Sequence, residues 1–240
     1  MGQDKIESIK IKEHLTAKFI GSEIYIFDTV ESTNDTAKGL ANKGCKEGTV
    51  VIADLQSKGR GRLGRRWGSP AGVGVYLSII LRPSDITPQL TLLAAVAAAE
   101  AINKSFKFQV SSSKLKNLKN LQLATCNLQP KLKWPNDIII NGKKAGGILT
   151  ESIANGKAVI VGMGINVNSE PSSFTDELKS KATSIMIETG RNVDRNLLIA
   201  GLLNKFEYWY EKFAGGNETI ITEKFGELSK EPSAFSNQLS

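Results

Sequence analysis

Residues 49–72, TVVIADLQSKGRGRLGRRWGSPAG, decide between two folds. The β-branched run TVVIADL (49–55) leads into Gly59, Gly61 and Gly64, which satisfy the G-x-G-x-x-G spacing of a dinucleotide-binding turn. That fold also needs a helix opening within the glycine run and an acidic residue about 20 positions further on. RRWGSPAG (65–72) instead holds Gly, Ser and Pro where an apolar helix has to run, and the nearest acid downstream is Asp85. The stretch therefore reads as a strand followed by a loop, and the chain is not doubly wound. The loop carries Arg60, Arg62, Arg65, Arg66 and Trp67. Guanidinium groups match phosphate or carboxylate with a planar fork of donors, and glycine lets the main chain approach a ligand. A phosphorylated ligand is the expectation; a solvated basic loop is the plainer reading.

Outward from the loop, EIYIFDTV (23–30) alternates as a strand, and ESTNDTAKGLANKG (31–44) reads as a helix capped by Ser32 or Thr33 with Gly44 past its end. GVYLSIIL (74–81) is a second flanking strand. TPQLTLLAAVAAAEAINKSF (87–106) has Thr87 as cap, Pro88 at the first helical position and an almost wholly apolar body from Leu90 to Ile102. Such a helix is buried on most sides, against a sheet. Residues 107–131 read as an exposed insertion with one short helical turn at most. KLKWPNDIII (131–140), NGKKAGGILTESI (141–153) and KAVIVGMGINVN (157–168) form a strand meander with Asn141-Gly142 and Asn155-Gly156 as hairpin turns. Asp194 caps a last strong helix in which Ile199, Leu202, Leu203, Phe206, Tyr210 and Phe213 recur at helical spacing. The tail from Gly215 is polar, with at most a short helix around Thr219 to Leu228. Strands and helices without regular alternation predict an α+β fold: a mixed, largely antiparallel sheet with helices on one face.

The 240 residues suffice for a full core, and no run of eighteen apolar residues suggests a membrane span. A net charge of +7 and a pI near 9.3 suit an acidic macromolecule or a nucleotide as partner. Cys45 and Cys126 form no C-x-x-C pair, and MGQDKIESIKIKEHL lacks the apolar core of a secretory signal, so the expected location is cytoplasmic.

Four segments in order, ESTN (31–34), QSKGRGRLGRRW (56–67), KWPND (133–137) with KKAGGIL (143–149), and GMGIN (162–166), closely resemble biotin protein ligase, over residues 23–213. The resemblance implies the biotin-lipoate ligase catalytic fold, related to class II aminoacyl-tRNA synthetases. It implies activation of biotin by Mg·ATP to biotinyl-5′-AMP, then transfer to a lysine of a biotin carboxyl carrier domain. Lys133 is implied to contact the biotin carboxylate and the bridging phosphate, and Lys133 with Arg60 to act in catalysis by screening two anions that repel. Ser32, Thr33, Asn34, Gln56, Arg60, Gly61 and Arg62 are implied at biotin. Arg60, Arg62, Arg65, Trp67, Lys133 and Asn166 are implied at ATP and the adenylate. The Arg-Gly loop would cover the water-sensitive anhydride. Mg²⁺ is expected on the phosphates, with no ligand from the protein. No nucleophilic His or Cys is needed, because the carrier lysine attacks directly.

Residues 1–22 read as an N-terminal extension without a winged helix, 23–214 as the catalytic domain, and 215–240 as a tail without the strands of an SH3-like barrel. A form without DNA-binding activity is expected, and neither DNA nor membrane is an expected partner. A homodimer is left open. The neighbouring reading is a lipoate ligase or lipoyl transferase; the reading from another class is a basic nucleic-acid-binding protein.

Overall fold

The computed structural model describes residues 5–112, 128–153 and 158–229. Seven strands form one sheet: β1 (Ile24–Val30), β2 (Val50–Gln56), β3 (Gly74–Leu81), β4 (Lys131–Lys133), β5 (Asp137–Ile140), β6 (Lys143–Ser152) and β7 (Val159–Asn166). Their order is β1-β2-β3-β7-β6-β5-β4. Among these strands β1 and β2 pair parallel and the other five pairings are antiparallel. The parallel pair needs a crossover, and α2 (Thr33–Asn42) supplies it. Asn141 and Gly142 both take positive φ, 47° and 82°, as a two-residue turn between β5 and β6 requires. The expected turn at Asn155-Gly156 lies outside the described residues.

One face of the sheet carries a layer of helices, α1 (Ser8–His14), α3 (Gln89–Ser112), α6 (Arg195–Ala214) and α7 (Glu218–Leu228). Leu90, Leu92, Leu93 and Ala94 through Ala99 are all buried, because α3 is enclosed by the sheet on one side and α6 on the other. Asp194 caps α6 through the amides of Asn196 and Leu197, and the six apolar residues expected on its inner face are buried. The expectation of helices on one face holds with one exception. Helix α2 lies on the opposite face, where Ala37 and Ala41 pack on Val51, Ile80 and Ile160. Val51 and Ile80 alternate with Val50, Ile52 and Ile79, which face the main layer, so each strand serves two apolar surfaces. Two short helices, α4 (Asp176–Lys179) and α5 (Ile185–Thr189), complete the segment between β7 and α6.

Both ends of the described chain join the core. Ile6, Ile11 and Ile20 are buried in the main cluster, so residues expected as an extension are part of the same packing unit. Glu207 on α6 accepts hydrogen bonds from the backbone N–H groups of Lys18, Phe19 and Ile20, which fastens that segment down. At the other end Ile221 and Phe225 of α7 are buried, with Phe225 edge-on to Trp134 at 6.1 Å. Helix α3 continues to Ser112, into the expected insertion; residues 113–127, with Cys126, lie outside the described residues.

Candidate active site

The sheet register places the site. On the face covered by α2, Lys133, Asp137, Gly147, Gly164, Tyr76 and Ala53 follow one another across β4, β5, β6, β7, β3 and β2. The next row holds Leu149, Gly162, Ser78 and Val51. Three of the central positions are glycine, and the missing side chains leave a trough in the sheet surface. A Cβ on Gly164 would stand 2.6 Å from Trp67 Nε1, and one on Gly162 would collide with the Asn34 amide. Only glycine lets these two side chains lie on the strand.

The N-terminus of α2 forms one end of this cleft. Ser32, Thr33 and Asn34 are all buried. Ser32 accepts the amide N–H of Asp35 at 3.5 Å, the outer limit of a hydrogen bond, so it caps the helix weakly. The Thr33 amide N–H and hydroxyl reach Gln56 Oε1 at 2.8 and 3.1 Å, and Gln56 Nε2 donates to Ser69 Oγ at 2.8 Å. Ser78 Oγ lies 2.6 Å from Asn34 Oδ1 and 2.8 Å from Thr33 Oγ1. Asn34 Oδ1 can only accept, so the single Ser78 proton goes to it. Asn34 Nδ2 donates to Leu149 O and to Glu151 Oε2.

The Arg-Gly loop covers the other side and has its own order. Gly61 N donates to Arg65 O at 2.7 Å and Trp67 N to Gly59 O at 2.9 Å, with Arg60 and Arg66 bridged. The loop is thus a narrow arm with a turn at Arg62–Gly64, where Leu63 takes φ 56° and is 87% exposed. Gly59 is required at its base, since a Cβ there would stand 2.5 Å from Trp67 O. Arg60 Nη2 lies 2.6 Å from Asp35 Oδ1 and 2.9 Å from Glu151 Oε2. Arg62 donates to Asn136 Oδ1 at 3.3 Å, and Arg66 to Ser57 O. The Trp67 ring carries Lys144 Nζ at 5.5 Å from its centre, and Lys144 pairs with Asp137. Trp67 Nε1 is buried without a hydrogen-bond partner among the described residues.

Ser32, Thr33, Asn34, Gln56, Arg60, Gly61 and Trp67 therefore line one cleft, together with Asn136, Lys144, Gly147, Ile148, Leu149, Gly162, Met163 and Gly164. Arg62, Arg65, Lys133 and Asn166 do not line it. Arg62 and Arg65 are exposed on the arm. Lys133 is exposed at the end of β4, in the same row as Gly147 and two strands away, about 10 Å at the usual strand spacing. Asn166 is two residues beyond Gly164 on β7, and its Nδ2 donates to Thr183 O at 3.0 Å. Sequence reasoning missed Ser78 and Glu151. Ser78 had a signal, a small polar side chain inside the apolar run GVYLSIIL. Glu151 had none, because a glutamate near a strand end reads as solvated. Among the described residues no three His, Cys, Asp or Glu side chains gather as a metal cage. No helix among them is long and apolar enough to cross a membrane.

Glu151 is held ionised to lower pH than an ordinary glutamate. Burial of its carboxyl works upward, and the hydrogen bonds from Asn34 and Lys38 with the charges of Lys38 and Arg60 outweigh it.

Residues 26–168 match the model of the biotin/lipoate A/B protein ligase family. The chain is 42% identical over 216 residues to the bifunctional ligase/repressor BirA of Bacillus subtilis, covering 87% of this chain and 60% of that protein. It thus spans about three-fifths of that relative's length. It is 33% identical over 188 residues to the biotin–[acetyl-CoA-carboxylase] ligase of Paracoccus denitrificans, covering 75% of this chain and 69% of that protein. A solved biotin protein ligase from Aquifex aeolicus, in complex with biotin and ATP, superimposes with a TM-score of 0.72 at 29% identity, covering 87% of this chain and 79% of that one.

Proposed function

The chain belongs to the biotin/lipoate A/B protein ligase family, and on that premise we propose that it joins biotin to a lysine of a biotin carboxyl carrier domain. In the first step a biotin carboxylate oxygen attacks the α-phosphorus of ATP, the bond to the β-phosphate breaks, and pyrophosphate leaves. In the second the lysine amine attacks the acyl carbon, AMP leaves, and the nitrogen loses a proton. The observation that carries the reading is the cleft itself, with a run of buried hydrogen-bonding side chains at one end and an arginine-bearing arm along the other. That polarity suits a ligand with a polar head and an anionic tail.

The buried polar end favours biotin over lipoate. The ureido group of biotin donates and accepts hydrogen bonds, whereas a dithiolane would leave Ser32, Thr33 and Asn34 facing an apolar ring. We assign Ser32, Thr33, Asn34 and Gln56 to the ureido end, with Gly61 at the bicycle. Lys133, Arg60 and Arg62 are assigned to the carboxylate and the α-phosphate, and Arg65, Trp67 and Asn166 to the nucleotide. The indole N–H of Trp67 supports that assignment, since a buried donor without an acceptor is satisfied once a nucleotide supplies one. Mg²⁺ is assigned to the phosphates, and no side chain is assigned to it. The cysteine usage supports placing the protein in the cytoplasm.

The test is exchange of labelled pyrophosphate into ATP, run with biotin or lipoate, followed by mass measurement of an added carrier domain. Biotin-dependent exchange and one biotinyl group on the carrier are expected. Exchange with lipoate alone replaces biotin by lipoate in the reading, and salt-sensitive DNA binding without any exchange moves the protein to the nucleic-acid class.

A further inference from the structure

Four charged side chains close a neutral ring at the rim of the cleft. Lys38 Nζ is 2.9 Å from Glu151 Oε1 and 3.9 Å from Asp35 Oδ1, while Arg60 Nη2 is 2.6 Å from Asp35 Oδ1 and 2.9 Å from Glu151 Oε2. Two positive and two negative groups cancel, so in the ligand-free protein Arg60 is held by carboxylates, and a bound anion shares it with them. Glu151 is the member that joins separate elements. From β6 its Oε2 takes Arg60 of the arm and Asn34 of α2 together, and its Oε1 takes Lys38 one helical turn further along α2. Its side chain is 20% exposed against 50% for Asp35, and solvent screens it correspondingly less.

We propose that Glu151 is a positioning residue: it clasps Arg60 and thereby docks the Arg-Gly arm against α2, and it aims the Asn34 amide into the cleft. The inference rests on the reading of the cleft as a biotin and adenylate site. It divides the work of the two arginines. Arg60 shares its charge between the ligand and the carboxylates that anchor it, whereas Arg62, which among the described residues meets the neutral Asn136 amide, keeps its charge for an incoming anion. Glu151 then acts on how firmly the arm stays closed over the adenylate and on how Asn34 is held at biotin, and it touches no reacting atom.

The experiment uses the full chain carrying Glu151→Ala, Glu151→Gln or Arg60→Ala, with Asp176→Asn as an exposed ion-pair control. In ligand-free hydrogen exchange, the amides of Gly61 and Trp67, both bonded within the arm, are expected to exchange about tenfold faster in Glu151→Ala than in wild type or control. With ligands, biotinyl-AMP release is expected to rise about tenfold or more and KM for biotin to rise with kcat nearly unchanged. Glu151→Gln, which keeps an acceptor for Asn34 and drops the charge, is expected to fall between. In arm exchange and biotinyl-AMP release, the variant carrying both Glu151→Ala and Arg60→Ala is expected to be no worse than Arg60→Ala alone, while KM for biotin rises further because Asn34 loses the Glu151 acceptor. Unchanged arm exchange in Glu151→Ala, or additive effects on arm exchange in the double variant, overturns the clasp. Faster arm exchange in a protein that shows no biotin-dependent reaction upholds the clasp and overturns the function instead.

Discussion

Ser78 and Gly164 show how single positions shape the cleft. Ser78 is the one serine in a strand otherwise built of apolar residues and Tyr76; it is fully buried and carries its proton to Asn34. Gly164 carries nothing, and the Trp67 ring occupies the space a methyl group would take. Gly164→Ala is therefore expected to push the indole off β7, raising KM for ATP at least tenfold while the strand still folds; titration of ATP against intrinsic tryptophan emission checks this, and an unchanged KM removes Trp67 from the nucleotide site. Glu151 gives a prediction in pH. Its value in the folded chain is below the ordinary 4.5, so the stability it adds is present above that value and is lost as pH falls through the lowered one. Denaturant titrations of wild type and Glu151→Gln are expected to differ by a constant amount at neutral pH and to converge in that acidic window.

At the scale of elements, the layer of helices depends on how chain ends are tied to α6. The Glu207 carboxylate, 5% exposed as a residue, receives three consecutive backbone N–H groups from a segment with no regular structure. Glu207→Gln turns one acceptor into a donor that faces another donor, and a loss of about 1–3 kcal/mol is expected. For a chain of this length that corresponds to a fall in Tm of roughly 2–12 °C, measurable by calorimetry. Many elements are readable without the structure: α3 from its apolar run, α6 from Asp194 and its spaced apolar residues, the β5–β6 turn from Asn141-Gly142. Helix α7 is faint, because Ile221 and Phe225 are too few apolar residues to make a period. The face chosen by α2 is not readable at all, since β2, β3 and β7 are apolar on both sides and offer it either surface.

For the molecule as a whole, a ligand that binds only the folded state raises its stability by mass action. Biotin with a non-hydrolysable ATP analogue, each site at about one hundred times its Kd, is expected to add about 2.7 kcal/mol for one occupied site and to raise Tm by roughly 5–10 °C. Lipoate in place of biotin is expected to add far less, and an equal shift by the two acids removes the argument from the buried polar end.

The amino-acid sequence by itself determined the α+β class, the principal strands and long helices, and the candidate chemistry. These follow from local causes, namely apolar period, capping side chains, turn residues and short motifs whose residue types match an anion and a polar head group. Only the tertiary structure decided which of those residues meet. It brought Ser32 to Asn34, Gln56 and Trp67 into one cleft, left Lys133 at the sheet edge, turned Asn166 to a backbone carbonyl, and set Glu151 on Arg60. The physical reason is that meeting depends on register across seven strands and on the face each helix takes. Both are settled by packing between residues as distant in sequence as Arg60 and Glu151, which no local pattern records.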